Sequence, residues 1–245
     1  GAGVINLLTG NSITSNWLIN HKKINIISFA GSSQTGKKIM RSASKDLKRV
    51  SLEMGGKNPF IIFDDANINK AVRNAITSFS LNSGQCCVGA SRIFVEKKII
   101  NKVLNYLKKN LDKNKQVYKL SNYKNYNNVF NYLKKRRFKK ENIFYGSIPK
   151  KKNQHFIINP IILINLKEKD KIYDEELFSP IITIETFENY IKLKDKLNNS
   201  KYGLSCMIWT KKIKNALDFI RGLEFGRLWI NGNITQNYPK LPIGG

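Results

Sequence analysis

Acidic residues are scarce in this chain: 17 Asp and Glu stand against 43 Lys and Arg over 245 residues, a formal net charge of +26. A field that positive attracts polyanions whatever the fold, so nucleic-acid or membrane-surface binding has to be weighed. The charge is spread along the chain, however, and not gathered into the stripe that a nucleic-acid face needs. Lys, Asn and Ile run high together, as over residues 119–128 and 211–215. That joint excess is what AT-rich coding drift produces, and drift is the preferred reading. Cysteine is scarce too. Cys86 and Cys87 are adjacent and Cys206 lies far off, with no CxxC and no Cys/His ligand spacing. A disulfide framework and a metal site are both excluded, and a reducing, cytoplasmic setting is the default. There is no signal peptide and no apolar run of about 18 residues, so no membrane span is expected. With 6 prolines, 16 glycines and 41% hydrophobic residues, the chain reads as globular and not disordered. It begins at Gly1 without an initiator Met, which reads as processing or as a fragment.

Short apolar runs alternate with amphipathic stretches. Residues 24–29 form a β-branched run that predicts a strand, followed by a small-residue turn at 31–36 and a helix over 37–47. Residues 50–54 and 59–63 predict two more strands. Apolar side chains at 68, 71, 72, 75, 76 and 79 keep the period of an amphipathic helix. A strand at 93–95 precedes a second helix carrying Ile99, Ile100, Val103, Leu104, Leu107 and Leu111. Residues 112–128 are polar and weakly patterned and read as a surface connection, with charged loops at 136–141 and 149–154. Strand-like runs at 157–164, 181–184, 207–210 and 227–231, with a helix over 215–223, complete an α/β pattern with at least partly parallel sheets.

Several places in that pattern can carry chemistry. The turn from Gly31 through Ser32 to Gly36 joins a strand to a helix, where backbone N–H groups and the helix N-terminus favour an anion. An ordinary strand-to-helix turn would look the same, because GxxxxG alone is a weak motif. Gly84-Gln85-Cys86-Cys87 sets a thiol on a turn beside backbone N–H groups, where it can be held as a thiolate and attack an electrophilic carbon. Two small buried residues would read alike. A Cys/His hydrolase would need His21 or His155 beside the thiol, and the sequence favours neither. Glu53 ends a nearly apolar strand, where desolvation would raise its proton affinity as a general base requires. A solvated strand-end acid is the plainer possibility. The pair Glu175-Glu176, before Leu177, Phe178 and Pro180, reads alone as a solvated turn.

In order along the chain, five segments resemble motifs of the NAD(P)-dependent aldehyde dehydrogenases. Residues 29–36, FAGSSQTG, are similar to the FTGSxxxG phosphate turn, and residues 52–59, LEMGGKNP, to LELGGKxP. Residues 84–87 are similar to GQxC, with the nucleophile at the final Cys, residues 175–180 to EExFGP, and residues 242–245, PIGG, to PFGG. The separation of Glu53 from Cys87 is also the usual family spacing, and the likeness runs over residues 3–245.

The resemblance implies an aldehyde dehydrogenase-like α/β fold. The C-terminal part of a Rossmann-type NAD-binding domain would cover residues 1–54 and an α/β catalytic domain residues 55–245. It implies oxidation of an aldehyde to a carboxylic acid with NAD or NADP. Cys87 would attack the aldehyde, its backbone N–H would meet the oxyanion, and loss of hydride to the nicotinamide would leave a thioester. Glu53 would activate the water that hydrolyses it. Glu176 would hold the nicotinamide ribose, Phe178 would pack beside the ring, and Gly31, Ser32 and Gly36 would border the pyrophosphate. Cys86 falls at a variable position and reads as structural, and Cys206 as a buried strand residue. The expected partners are an aldehyde substrate and, for the intact protein, further copies of itself, with neither membrane nor nucleic acid. Residues 202–206 and 231–245 weakly resemble succinylglutamate-semialdehyde dehydrogenases. Family members run to roughly twice this length, so strands before the phosphate turn and after residue 245 are expected to be missing. Ser179 stands where the motif has Gly and is expected to distort the turn that presents Glu176. An inactive or split-gene remnant serving as an assembly partner, and a basic polyanion-binding protein, are the alternative functions.

Overall fold

The computed structural model of the chain describes residues 1–114, 116–167, 170–232 and 234–235. The chain divides into two compact units, Gly1–Gly55 and Gly56–Gly245. In the first, α1 (Ser12–Asn20) precedes β1 (Ile26–Gly31), α2 (Ser33–Ala43) and β2 (Arg49–Met54). The two strands pair in parallel, from Ile26 beside Arg49 to Gly31 beside Met54. α2 starts where it does because Ser32 is extended, with φ −73°, and its Oγ accepts the Thr35 N–H at 3.3 Å. The helix therefore begins before the 37–47 span read from the sequence, and it ends at Ala43. Gly36 lets it lie close on β2, since a Cβ there would come within 2.9 Å of Met54 Sδ.

The second unit is built on a seven-stranded sheet. Its strands are β3 (Asn58–Ile62), β4 (Ala90–Glu96), β5 (Ile143–Tyr145), β6 (Ile161–Leu163), β7 (Ile181–Phe187), β8 (Ser205–Trp209) and β9 (Arg227–Ile230). They lie in the order β5-β6-β7-β4-β3-β8-β9. All neighbours are parallel except β5 and β6 at one edge. The helices are α3 (Ile68–Ser80), α4 (Ile100–Lys113), α5 (Tyr123–Arg136), α6 (Tyr190–Asn198) and α7 (Ile213–Ile220).

Strand alternation divides the core between the two faces of the sheet. Phe60 and Ile62 join Ile93, Val95, Met207 and Trp209 under α3 and α4. Ile61 joins Phe94, Cys206 and Ile208 under α6 and α7. Each such side chain contributes on the order of 1.5–3 kcal/mol when fully buried, and all five residues of β3 are buried. Cys206 has no exposed surface, as a strand residue of this core.

The surface connection read over residues 112–128 is corrected by α5, which takes its second half. Asn122 caps that helix by accepting the Asn125 N–H at 2.8 Å. Tyr126, Val129, Phe130 and Leu133 then bury one face, and all but Phe130 join a small separate core with Leu120, Ile158, Ile161, Leu163 and Ile172. No helix among the described residues is long and apolar enough to cross a membrane.

β3, β4, β7 and β8 all run the same way, and this positions the chemistry. Whatever precedes each strand is carried to one edge of the sheet. Residues 56–57 precede β3, 84–89 precede β4, 175–180 precede β7 and 203–204 precede β8.

Candidate active site

The thiol turn is held from several sides. After α3, Asn82, Ser83 and Gly84 all take left-handed backbone, with φ of 49°, 60° and 75°. The Gly89 N–H then closes a turn on the Cys86 carbonyl at 3.0 Å. Asn58, 1% exposed, donates from Nδ2 to the Cys87 carbonyl at 2.6 Å and to the Gly89 carbonyl at 2.9 Å. Its Oδ1 accepts the Ser205 N–H at 3.1 Å. One buried amide thus joins β3, the thiol turn and β8, with carbonyls satisfied that would otherwise cost about 1–3 kcal/mol each. Ser205 Oγ donates to the Val88 carbonyl at 3.1 Å. Gln85 anchors the other end, accepting the Ser121 N–H at 2.8 Å and donating to the Asn82 carbonyl at 2.9 Å. Cys87 stands exposed on this turn and Cys86 is half-buried.

The two thiols share a hydrogen bond. That bond, with the backbone N–H groups of Val88 and Gly89, draws Cys86 down to about 6 against the opposing effect of burial. Cys87, as the partner that keeps the shared proton and is itself partly desolvated, is pushed above the usual thiol range. The pair titrates as one unit: its first proton leaves easily and its second is held.

Glu176 lies at the same edge, its Oε1 accepting the Gly56 N–H at 3.2 Å. Burial pushes its carboxyl up to about 7, against the Gly56 N–H and the Lys57 ammonium, and the Cys87 thiol adds to the rise. Lys57, 2% exposed, is drawn down to about 7 by burial and by the Arg92 guanidinium, with Glu176 opposing. Arg92 Nε donates to the Lys57 carbonyl at 2.9 Å. Phe178 is exposed and takes left-handed backbone at φ 49°, its carbonyl accepting from Asn125 Nδ2 at 3.1 Å. Ser179 does not itself take positive φ. Its Cβ is tolerated, and its cost is a buried Oγ without a partner among the described residues.

In the first unit, the backbone at Gly31, Ser32, Thr35 and the start of α2 forms an exposed strand–turn–helix junction, with Gly36 buried beneath it. Ser32 Oγ also lies 3.0 Å from Thr35 Oγ1. Glu53 is exposed on β2, whose residues alternate between exposed and half-buried. The burial expected there from the sequence is not seen, because a two-stranded sheet leaves the face bearing Glu53 open. Residues 242–245, the PIGG segment, lie outside the described residues.

The model of the aldehyde dehydrogenase family matches residues 1–245. This chain belongs to the aldehyde dehydrogenase family. It is 33% identical to the lactaldehyde dehydrogenase of Methanococcus aeolicus over 99% of its own length and 53% of that protein. Among solved structures, an apo variant of Staphylococcus aureus betaine aldehyde dehydrogenase aligns with a TM-score of 0.88 and 29% identity, over 98% of this chain and 50% of that one. A variant of the same enzyme in complex with NAD+ aligns with a TM-score of 0.83 and 28% identity, over 94% and 49%. The chain spans about half the length of the curated relatives it matches. Within this aldehyde dehydrogenase fold, sequence reasoning passed over Lys57 and Asn58. The available signal was polarity out of place: a Lys and an Asn between two glycines and an apolar strand, where both must be buried and paired.

Lys57, buried, and Glu176, half-buried beside it, make stability depend on pH. Between about 4.5 and 7 the folded chain keeps a proton on Glu176 that the unfolded chain has released, so stability falls as pH rises. Between about 7 and 10.5 the unfolded chain keeps a proton on Lys57 that the folded chain has released, so stability rises with pH. A one-proton difference limits each slope to about 1.4 kcal/mol per pH unit. In thermal melts from about pH 5 to 10, Glu176→Gln is expected to lack the falling limb and Lys57→Met the rising one. Parallel profiles for all three proteins would mean that neither group is desolvated.

Proposed function

We propose that this chain is the nucleophile-bearing part of an enzyme that oxidises an aldehyde to a carboxylic acid with NAD or NADP. The observation that supports it most is Cys87 itself: exposed, fixed by Asn58, and close enough to Glu176 to raise its pKa. The exposed Cys87 sulfur attacks the aldehyde carbon as its proton passes to the Cys86 thiolate, and the Cys87 backbone N–H meets the oxyanion. Once the adduct has lost hydride, Cys87 holds the acyl group as a thioester, and Glu53 takes a proton from the water that releases the acid.

The residues present suit a dinucleotide. The junction at Gly31, Ser32 and Gly36 offers an anion the N-terminus of an eleven-residue helix. Glu176 has one carboxylate oxygen engaged by Gly56, which leaves the other for a ribose hydroxyl, and exposed Phe178 offers a flat apolar face for the nicotinamide. When bound, the nicotinamide supplies the hydride acceptor. The intact protein is assigned a homo-oligomeric state.

Iodoacetamide labelling with peptide mapping tests the reading on the chain itself. Cys87 is expected to alkylate at neutral pH well ahead of buried Cys206, and a small aldehyde, but not the matching alcohol, should slow it. Equal, slow labelling of both cysteines, or indifference to aldehyde, would sink the catalytic reading and leave the inactive assembly partner.

A further inference from the structure

The mechanism uses one thiol, yet the turn presents two. Cys86 and Cys87 are neighbours in sequence, on one turn fixed by the Gly89–Cys86 backbone bond and by Asn58. Cys87 opens to solvent while Cys86 is half-buried against the core. We propose that the two form a dithiol site that captures electrophiles able to accept two sulfurs at one atom, of the trivalent arsenical class.

Geometry favours a one-atom bridge over a direct disulfide. Adjacent residues have Cα atoms about 3.8 Å apart, below the roughly 4.4–6.8 Å that disulfides usually span. A direct bond would be strained, whereas an arsenic atom between the sulfurs lets them stand further apart. The balance is simple: an arsenoxide, R–As=O, takes up both thiols, two As–S bonds form, and the oxygen leaves as water with the two thiol protons. Arsenic stays trivalent and nothing is oxidised or reduced. After the first As–S bond, the second thiol is already within reach, and such a link strengthens capture by about 10²–10⁴-fold over a single contact. Closure of the ring removes Cys87 as a nucleophile. The site does not depend on the aldehyde chemistry, since thiol capture is read without aldehyde or dinucleotide.

Phenylarsine oxide is the probe, with intact-mass analysis of the whole chain. One adduct per chain is expected, kept in millimolar glutathione and stripped by the dithiol 2,3-dimercaptopropanol. In Cys86→Ser and in Cys87→Ser, glutathione should remove it at least about 10²-fold more readily, while Cys206→Ala behaves as the unchanged chain. Should Cys86→Ser fold poorly, the unchanged chain still decides. After arsenical treatment and denaturation, both Cys86 and Cys87 should resist N-ethylmaleimide. Labelling of Cys86 alone, or an adduct lost to glutathione as fast as from the single-cysteine variants, overturns the proposal. Aldehyde-insensitive alkylation combined with a retained arsenical would instead sink the catalytic reading and leave the dithiol site standing.

Discussion

Glu53→Gln is expected to form an acyl-enzyme normally and then stall. An activated ester such as p-nitrophenyl acetate delivers an acyl group to a thiol without hydride transfer, so it isolates the second half of the proposed reaction. In the unchanged chain, Cys87 should release a burst of about one nitrophenolate per chain, followed by steady hydrolysis. The Gln side chain keeps the size of Glu53 but cannot take a proton from water. The burst should therefore survive in Glu53→Gln, while the steady rate falls by about 10²-fold or more, the range for loss of a general base. Cys87→Ser should lose the burst itself. A steady rate in Glu53→Gln equal to that of the unchanged chain would remove Glu53 from the mechanism. The experiment matters because Glu53 is exposed on β2. Any assistance it gives must come from position.

The strands and long helices were legible because burial dictates their spacing. Ile68, Ala71, Val72, Ala75, Ile76 and Phe79 bury one face of α3, and the same periodicity announced α4. α5 was hidden because its apolar residues begin at Tyr126, beyond a Lys/Asn/Tyr-rich first turn, and its core is small and separate from the main sheet. α6 buries only Leu193 and Leu197, and α1 buries nothing, so neither had a pattern to read. The 84–87 and 175–180 motifs were legible as segments, and the parallel strands of the second unit explain why these two, so far apart in the chain, meet. What sequence could not give was the joinery. Asn58 looked like one more Asn in an Asn-rich chain, although its amide bonds the Cys87 and Gly89 carbonyls and the Ser205 N–H. Nor could it show that Lys57 is buried, because only packing decides which of 43 cations loses its water.

The contact between the thiol turn and the Glu176 turn should be unforgiving, and Gly84→Ala should show it. Gly84 has φ 75°, and a Cβ there would overlap the carbonyl carbon and oxygen of Ser179 and the nitrogen of Pro180. Those are backbone atoms leading straight into β7, whose Ile181 pairs with Ile161 and whose Thr183 pairs with Arg92. They can yield only by moving the strand or the turn. Left-handed backbone alone costs a non-glycine residue about 1–2 kcal/mol, and the overlap should take the total beyond about 4 kcal/mol. For a chain of this size that is a fall in Tm of at least about 8–16 °C. Gly222→Ala supplies the control, because Gly222 has nearly the same φ, 78°, and nothing within 4 Å of its Cβ position. It should lose only the backbone cost, a few degrees in Tm. The difference between the two melts measures how hard the turns press together. If Gly84→Ala melts within about 2 °C of Gly222→Ala, a margin under about 1 kcal/mol, the two turns are not in contact. Cys87 and Glu176 would then lose the shared support on which their chemistry depends.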